Sequence, residues 1–268
     1  MKTPCLWYSR KGVVRKPVVL LLHGAITTSM MWPDTFVNNL ANNFNVYSLD
    51  LRESGKSGGG EKLYTLEDMA DDVSYFMKIH RLKNVHLVGA SMGGAISQLL
   101  AIKEQENVKS LSLLMTTSER GIWSKSMPPP TLEQLDCIKK EYEFYMKGDI
   151  VSGIKTRFDF CSADEKETQY RIKKMIRHGF NPFCGHLHAF ETSPARTSIL
   201  SKISCPTLIL HGDEDTLFPL EHAYLMHENI ENSKLNIVKG MGHFVLEKNS
   251  DILSKEIVNH INDGIFLQ

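Results

Sequence analysis

This sequence predicts an α/β fold with a mostly parallel central sheet flanked by helices, and three observations carry that expectation. Short apolar runs of strand length recur along the chain, and segments with apolar residues at helical spacing stand between them. Residues able to carry chemistry fall in the loops directly after those runs, where ligands sit in open parallel sheets. At 268 residues the chain is near the upper limit for one hydrophobic core, so a single domain with an insertion is expected.

The first run, Pro17-Val18-Val19-Leu20-Leu21-Leu22, is apolar on both faces, as a strand buried in a parallel sheet must be, and it ends in His23-Gly24-Ala25. Trp32 to Phe44 places Trp32, Phe36, Val37 and Leu40 at helical spacing, and Val46-Tyr47-Ser48-Leu49-Asp50 follows as a strand. Thr65 caps a helix with Glu67 and Asp68 in its first turn; the helix runs through Met69, Val73, Phe76 and Met77 to about His80. Val85-His86-Leu87-Val88 is the next strand, and Val108 to Met115 the one after it.

From Glu119 to about Pro194 the rhythm changes. No buried-strand run appears, and helical spacing recurs in Leu132, Leu135, Ile138, Tyr142 and Tyr145, then in Ile172, Met175 and Ile176. Residues 119–195 are therefore expected to form a helical cap inserted over the carboxyl ends of the strands. Trp123, Phe158, Phe160, Phe180, Phe183 and Phe190 with no charge cluster suggest an apolar pocket there, one that charged substrates fit poorly. Strands resume at Cys205-Pro206-Thr207-Leu208-Ile209-Leu210 and at Leu235-Asn236-Ile237-Val238, with a helix through Leu225 and Met226 between them.

Composition narrows the function classes. Thirty-one basic and thirty-one acidic residues leave no net charge, so neither nucleic acid nor a membrane is an expected partner; a small-molecule substrate is. No stretch approaches the roughly 18 apolar residues that span a bilayer and no secretory h-region is present, so a cytoplasmic monomer or homodimer is expected. Cys5, Cys137, Cys161, Cys184 and Cys205 are scattered with no C-x-x-C pair, and His186 and His188 lack an acid or cysteine at ligand spacing, which argues against a disulfide framework and a metal site. The loop Asp50-Leu51-Arg52-Glu53-Ser54-Gly55-Lys56-Ser57 has one of the glycines of a phosphate-binding loop and no apolar helix after it, and no dinucleotide motif occurs; no cofactor is expected.

Gly89-Ala90-Ser91-Met92-Gly93-Gly94 turns sharply from strand to helix with Ser91 at the apex. Such a G-x-S-x-G arises by chance in roughly one chain in ten of this length, so it needs partners. They follow in order. Gly212-Asp213-Glu214-Asp215 ends one strand and Gly240-Met241-Gly242-His243 ends the next, giving nucleophile, acid and base at three strand ends. Asp213 and Glu119 compete with Asp215 for the acid. The amide of Met92, at the start of a helix, and that of Ala25 are the expected oxyanion donors.

These motifs, with Pro219 after the acid, resemble the α/β-hydrolase fold family over nearly the whole chain, and the Gly-x-x-Asp spacing from Gly212 favours Asp215. Trp32-Pro33-Asp34, Ser91-Met92-Gly93 and Gly240-Met241-Gly242-His243 are further similar to capped esterases of the aclacinomycin methylesterase type. Glu53 stands where the family's D-x-R-G-x-G-x-S loop has glycine. The resemblance implies a serine hydrolase that cleaves a small, largely apolar carboxylic ester through an acyl-enzyme, with Ser91, Asp215 and His243 as catalytic triad. Carbon–carbon bond hydrolases, thioesterases and non-catalytic ligand receptors are the alternatives on the same fold.

Overall fold

The computed structural model describes residues 5–59, 63–119, 129–161, 164–182, 184–245 and 247–266. Seven strands form one sheet: β1 (Tyr8–Gly12), β2 (Val18–Leu22), β3 (Asn45–Leu49), β4 (Val85–Ala90), β5 (Val108–Leu114), β6 (Thr207–Gly212) and β7 (Ser233–Val238), in the order β1-β3-β2-β4-β5-β6-β7. β1 pairs antiparallel with β3, Tyr8 opposite Leu49; the other pairings are parallel. The sheet is thus mostly parallel, as expected, with one antiparallel edge strand that the apolar-run criterion passes over.

Alternation along the strands divides the core between the two faces. Leu20, Leu22, Leu87, Leu111 and Ile209 pack beneath α2 (Leu66–Ile79), α3 (Met92–Lys103) and α8 (Glu221–Asn229), meeting Val73, Phe76, Ile96, Leu100 and Met226. Val19, Leu21, Val88, Leu114 and Leu208 face the other way, onto Phe36 and Leu40 of α1 (Asp34–Ala41) and Leu253 and Ile257 of α9 (Ser250–Phe266). The two-sided burial explains why apolar residues stand on both faces of these strands, most fully in β2. Thr65 caps α2 with the reciprocal Asp68 bond of a capping box, satisfying two end groups at once.

Between β5 and β6 lie α4 (Leu132–Met146), α5 (Ile150–Phe160), α6 (Glu165–His178) and α7 (His186–Thr192). Buried polar contacts fasten them to the sheet's upper edge. His178 Nε2 is 2.7 Å from Asp50 Oδ2; Arg171 donates to the carbonyls of Met31 and Val245; His186 Nε2 donates to Arg52 O at 2.6 Å while its Nδ1 accepts from Ile26 N at 3.3 Å. The apolar stripe read on α4 is only partly inward. Leu132 is 84% exposed, whereas Gln134, Cys137, Glu141 and Tyr145 are its buried residues. Polar groups face inward there because partners on α5 and the 216 loop satisfy them. Trp123 and Phe183 lie outside the described residues. Among the described residues no helix is long and apolar enough to cross a membrane.

Candidate active site

β4 ends at Ala90 and α3 begins at Met92, leaving Ser91 alone to make the turn. It does so at φ 52°, ψ −122°, a conformation that costs an L-residue on the order of 1–3 kcal/mol and persists only where the surroundings enforce it. They do: Ser91 N donates to Leu114 O at 2.9 Å, and Thr116 Oγ1 donates to Ser91 O at 2.6 Å. Gly93 on the following turn lies so close to β2 that a Cβ there would run into the carbonyl oxygen of Leu22. The serine itself, not the flanking glycines, takes the left-handed backbone.

His243, after β7, faces Ser91. With Nδ1 carrying the ring proton, the Ser91 hydroxyl donates to His243 Nε2 (3.1 Å) and His243 Nδ1 donates to Asp215 Oδ2 (2.9 Å). Asp215 Oδ1 accepts from the amides of Leu217 and Phe218, both at 2.9 Å. Burial would raise this carboxyl's pKa, but His243, His211 and the Phe218 amide outweigh it and hold the pKa below the usual value. Asp213 accepts instead from Gly240 N, and Glu119 from Thr197 Oγ1. Among the three acids weighed, Asp215 is the one bonded to His243.

His211, unremarked in the sequence, sits beneath the acid. Its Nε2 donates to Phe218 O at 2.7 Å and lies 3.5 Å from Asp215 Oδ2. Burial lowers its pKa, and the Asp215 carboxylate beside it opposes that shift. Its place at the end of β6, four residues before Asp215, was the available signal.

The loop after β2 abuts the serine: a Cβ on Gly24 would stand 3.2 Å from Ser91 Cβ. His23 anchors that loop from below, Nε2 accepting from Leu51 N (3.0 Å) and Nδ1 donating to Gly24 O (2.8 Å). Ala25 lines the same cavity as Ser91, and Met92 opens α3, where the first amides have no acceptor within the helix. Glu53, in place of the glycine, takes φ 60° and spends its carboxylate on Tyr64 Oη (2.7 Å) and Gly185 N (2.6 Å), at the start of α7.

Above Ser91 and His243 is a cavity of about 260 Å³. Met31, Phe160, Phe190, Leu217, Phe218 and Phe244 give it apolar walls, but Glu141, Arg157 and Glu191 line it too. The expectation of a cap without a charge cluster is therefore wrong. Glu141 on α4 and Arg157 on α5 are each paired across the helix hairpin, so neither shows in the sequence as more than one charge on an amphipathic surface. Arg157 Nε and Nη2 donate to Glu141 Oε2 at 2.8 and 2.6 Å, and Tyr145 Oη donates to Oε1 at 2.8 Å. Among the described residues no cluster of three or more His, Cys, Asp or Glu is arranged to hold a metal.

The profile of the alpha/beta hydrolase fold family matches residues 17–250. A putative carbamate hydrolase, RutD, of Agrobacterium fabrum is 23% identical, covering 91% of this chain and 93% of that protein. A pimeloyl-[acyl-carrier protein] methyl ester esterase of Nitrosomonas europaea is 27% identical over 85% of this chain and 88% of its own. Among solved structures, an esterase from Exiguobacterium antarcticum superposes with a TM-score of 0.82 at 24% identity, over 97% and 96% of the two chains.

Proposed function

As this chain belongs to the α/β hydrolase fold family, we propose that it is a serine hydrolase acting on a small carboxylic ester through an acyl-enzyme. One observation carries the reading: His243 bridges Ser91 Oγ at 3.1 Å and Asp215 Oδ2 at 2.9 Å on the floor of a cavity. Ser91 Oγ attacks the ester carbonyl as its proton passes to His243 Nε2. Asp215 holds the imidazole in the required tautomer and stabilises the imidazolium that forms. The amides of Ala25 and Met92 receive the oxyanion. The imidazolium then protonates the departing alkoxide, and water, deprotonated by His243, releases the acid and restores Ser91.

The helices of residues 119–195 serve as a cap whose α4, α5 and α7 complete the substrate cavity. Its predominantly apolar walls supply affinity by removing hydrocarbon from water, about 25 cal/mol per Å². Similarity to a methyl ester esterase supports the ester, and within esters the capped methylesterase type. The test is labelling with a fluorophosphonate alongside hydrolysis of p-nitrophenyl acetate. The parent should label stoichiometrically and turn over the ester; Ser91→Ala should do neither while melting cooperatively. A Ser91→Ala protein that still labels refutes the assignment, as does a parent that does neither.

A further inference from the structure

The charged wall of the cavity has a specific vacancy in its bonding. Glu141 is 1% exposed, and its two oxygens are committed: Oε2 to Arg157 Nε and Nη2, Oε1 to Tyr145 Oη. Arg157 is not committed to the same degree. Its side chain is 17% exposed, it lines the cavity, and its Nη1 has no hydrogen-bond partner among the described residues. A buried ion pair gives no stability advantage over apolar side chains of the same volume, and an alkyl tail would be better met by leucine or methionine at both positions. An alkyl tail filling this cavity would also strip water from Nη1 and return nothing to it.

The geometry points to Arg157 as a specificity-determining residue whose Nη1 donates to an uncharged hydrogen-bond acceptor, a carbonyl or ether oxygen, carried on the substrate chain away from the scissile ester. This rests on the esterase reading and refines it. The acceptor is uncharged because Glu141 already neutralises the guanidinium at 2.6 Å, so a substrate carboxylate would approach the Glu141 carboxylate without gaining an unpaired cation. A site that hydrogen-bonds its substrate discriminates against the analogue lacking the group far more sharply than an apolar pocket discriminates by one methylene.

The experiment compares chains of equal length. On the acyl side, p-nitrophenyl 5-oxohexanoate is set against the hexanoate and against the mono-p-nitrophenyl ester of adipic acid. On the alcohol side, 5-oxohexyl acetate is set against hexyl acetate. In the parent, at least one oxo/alkyl pair should show a kcat/KM ratio of about tenfold or more, and the charged adipate ester should fall below the oxo ester. In the double variant Glu141→Leu/Arg157→Met, which leaves no unpaired charge behind, that ratio should collapse to near one. The readout is a ratio within a single enzyme, so a general loss of activity cancels. Should the double variant fail to fold, Arg157→Lys serves: one ammonium in place of a fork should lower the ratio severalfold.

Ratios near one for both pairs in the parent overturn the proposal, as does a ratio that survives in the double variant, or a preference for the adipate ester. Fluorophosphonate labelling and p-nitrophenyl acetate turnover are measured on the same sample. If those fail, the hydrolase reading is at fault; if they succeed and the ratios are flat, only the role of Arg157 is.

Discussion

Replacing Asp215 by asparagine changes one atom, and the bonding around it fixes where that atom goes. Oδ1 accepts from the amides of Leu217 and Phe218, both at 2.9 Å, and an NH2 group there would face two donors. The asparagine oxygen must therefore occupy the Oδ1 position. Its NH2 then takes the Oδ2 position, 2.9 Å from His243 Nδ1. A donor at that point opposes a proton on His243 Nδ1, leaving it only the longer 3.1 Å contact to the oxygen at the Oδ1 position, and so favours the tautomer protonated on Nε2, which aims an N–H at Ser91 Oγ 3.1 Å away. The base is then already protonated on the nitrogen that must accept the serine's proton. Loss of about 10⁴ in kcat is expected, as when the orienting carboxylate of other triads is so replaced, or about 5.4 kcal/mol of barrier at 1.36 per tenfold. Steady-state hydrolysis of p-nitrophenyl acetate measures it, with a thermal melt to show that the variant folds. Asp213→Asn and Glu119→Gln, whose carboxylates bond to Gly240 N and Thr197 Oγ1, should lose no more than about tenfold on the same scale. An Asp215→Asn enzyme that keeps a tenth of the parental kcat, or a Glu119→Gln enzyme that is the crippled one, refutes the reasoning.

Acid should weaken the fold. Burial lowers the pKa of His86 to about 4, of His186 to about 3 and of His222 to about 4, against 6.5 when unfolded. From about pH 6.5 down to those values the unfolded chain binds more protons than the native one, so stability falls with pH by up to about 1.4 kcal/mol per unit for each histidine. The thermal midpoint should be lower at pH 5 than at pH 7, with His186→Gln flattening the slope; equal midpoints would contradict this. Glu53→Gly relieves a positive φ worth about 1 kcal/mol but forfeits two bonds to a carboxylate worth about 1.5–3 each. A net loss of about 2 kcal/mol or more is expected in denaturant melts, and a gain would refute the account of Glu53 as the tie to α7. Gly93→Ala forces a Cβ against the Leu22 and His23 carbonyls, so its melting should show a loss of about 3 kcal/mol or more; parental stability would mean that α3 can move off β2.

What the sequence discloses and what it hides divide along physical lines. Val19 to Leu22 is buried on both faces, so its chemistry is uniform and reads as strand. Tyr8–Gly12 is an edge strand, half exposed and carrying Arg10 and Lys11, and nothing in a run of mixed polarity marks it. The three strand-end positions of Ser91, Asp215 and His243 follow from chain order, because every parallel strand ends at the same edge. Among Asp213, Asp215 and Glu119 the family's Gly-x-x-Asp spacing favours Asp215, but only distances show which of the three is bonded to His243. The Glu141–Arg157 pair was hidden for a different reason: each residue sits on its own helix at a spacing that also suits a solvated face, and only the α4–α5 hairpin brings them to 2.6 Å. Glu53 shows the converse, since its departure from the family loop is plain in the sequence while its bonds to Tyr64 and Gly185 are not.

Ser91 holds φ 52° and ψ −122°, angles at which glycine would rest without strain. A Ser91→Gly chain should therefore melt above the active protein, by an amount corresponding to about 1 kcal/mol or more. Reactivity and robustness are thus set against each other at a single codon.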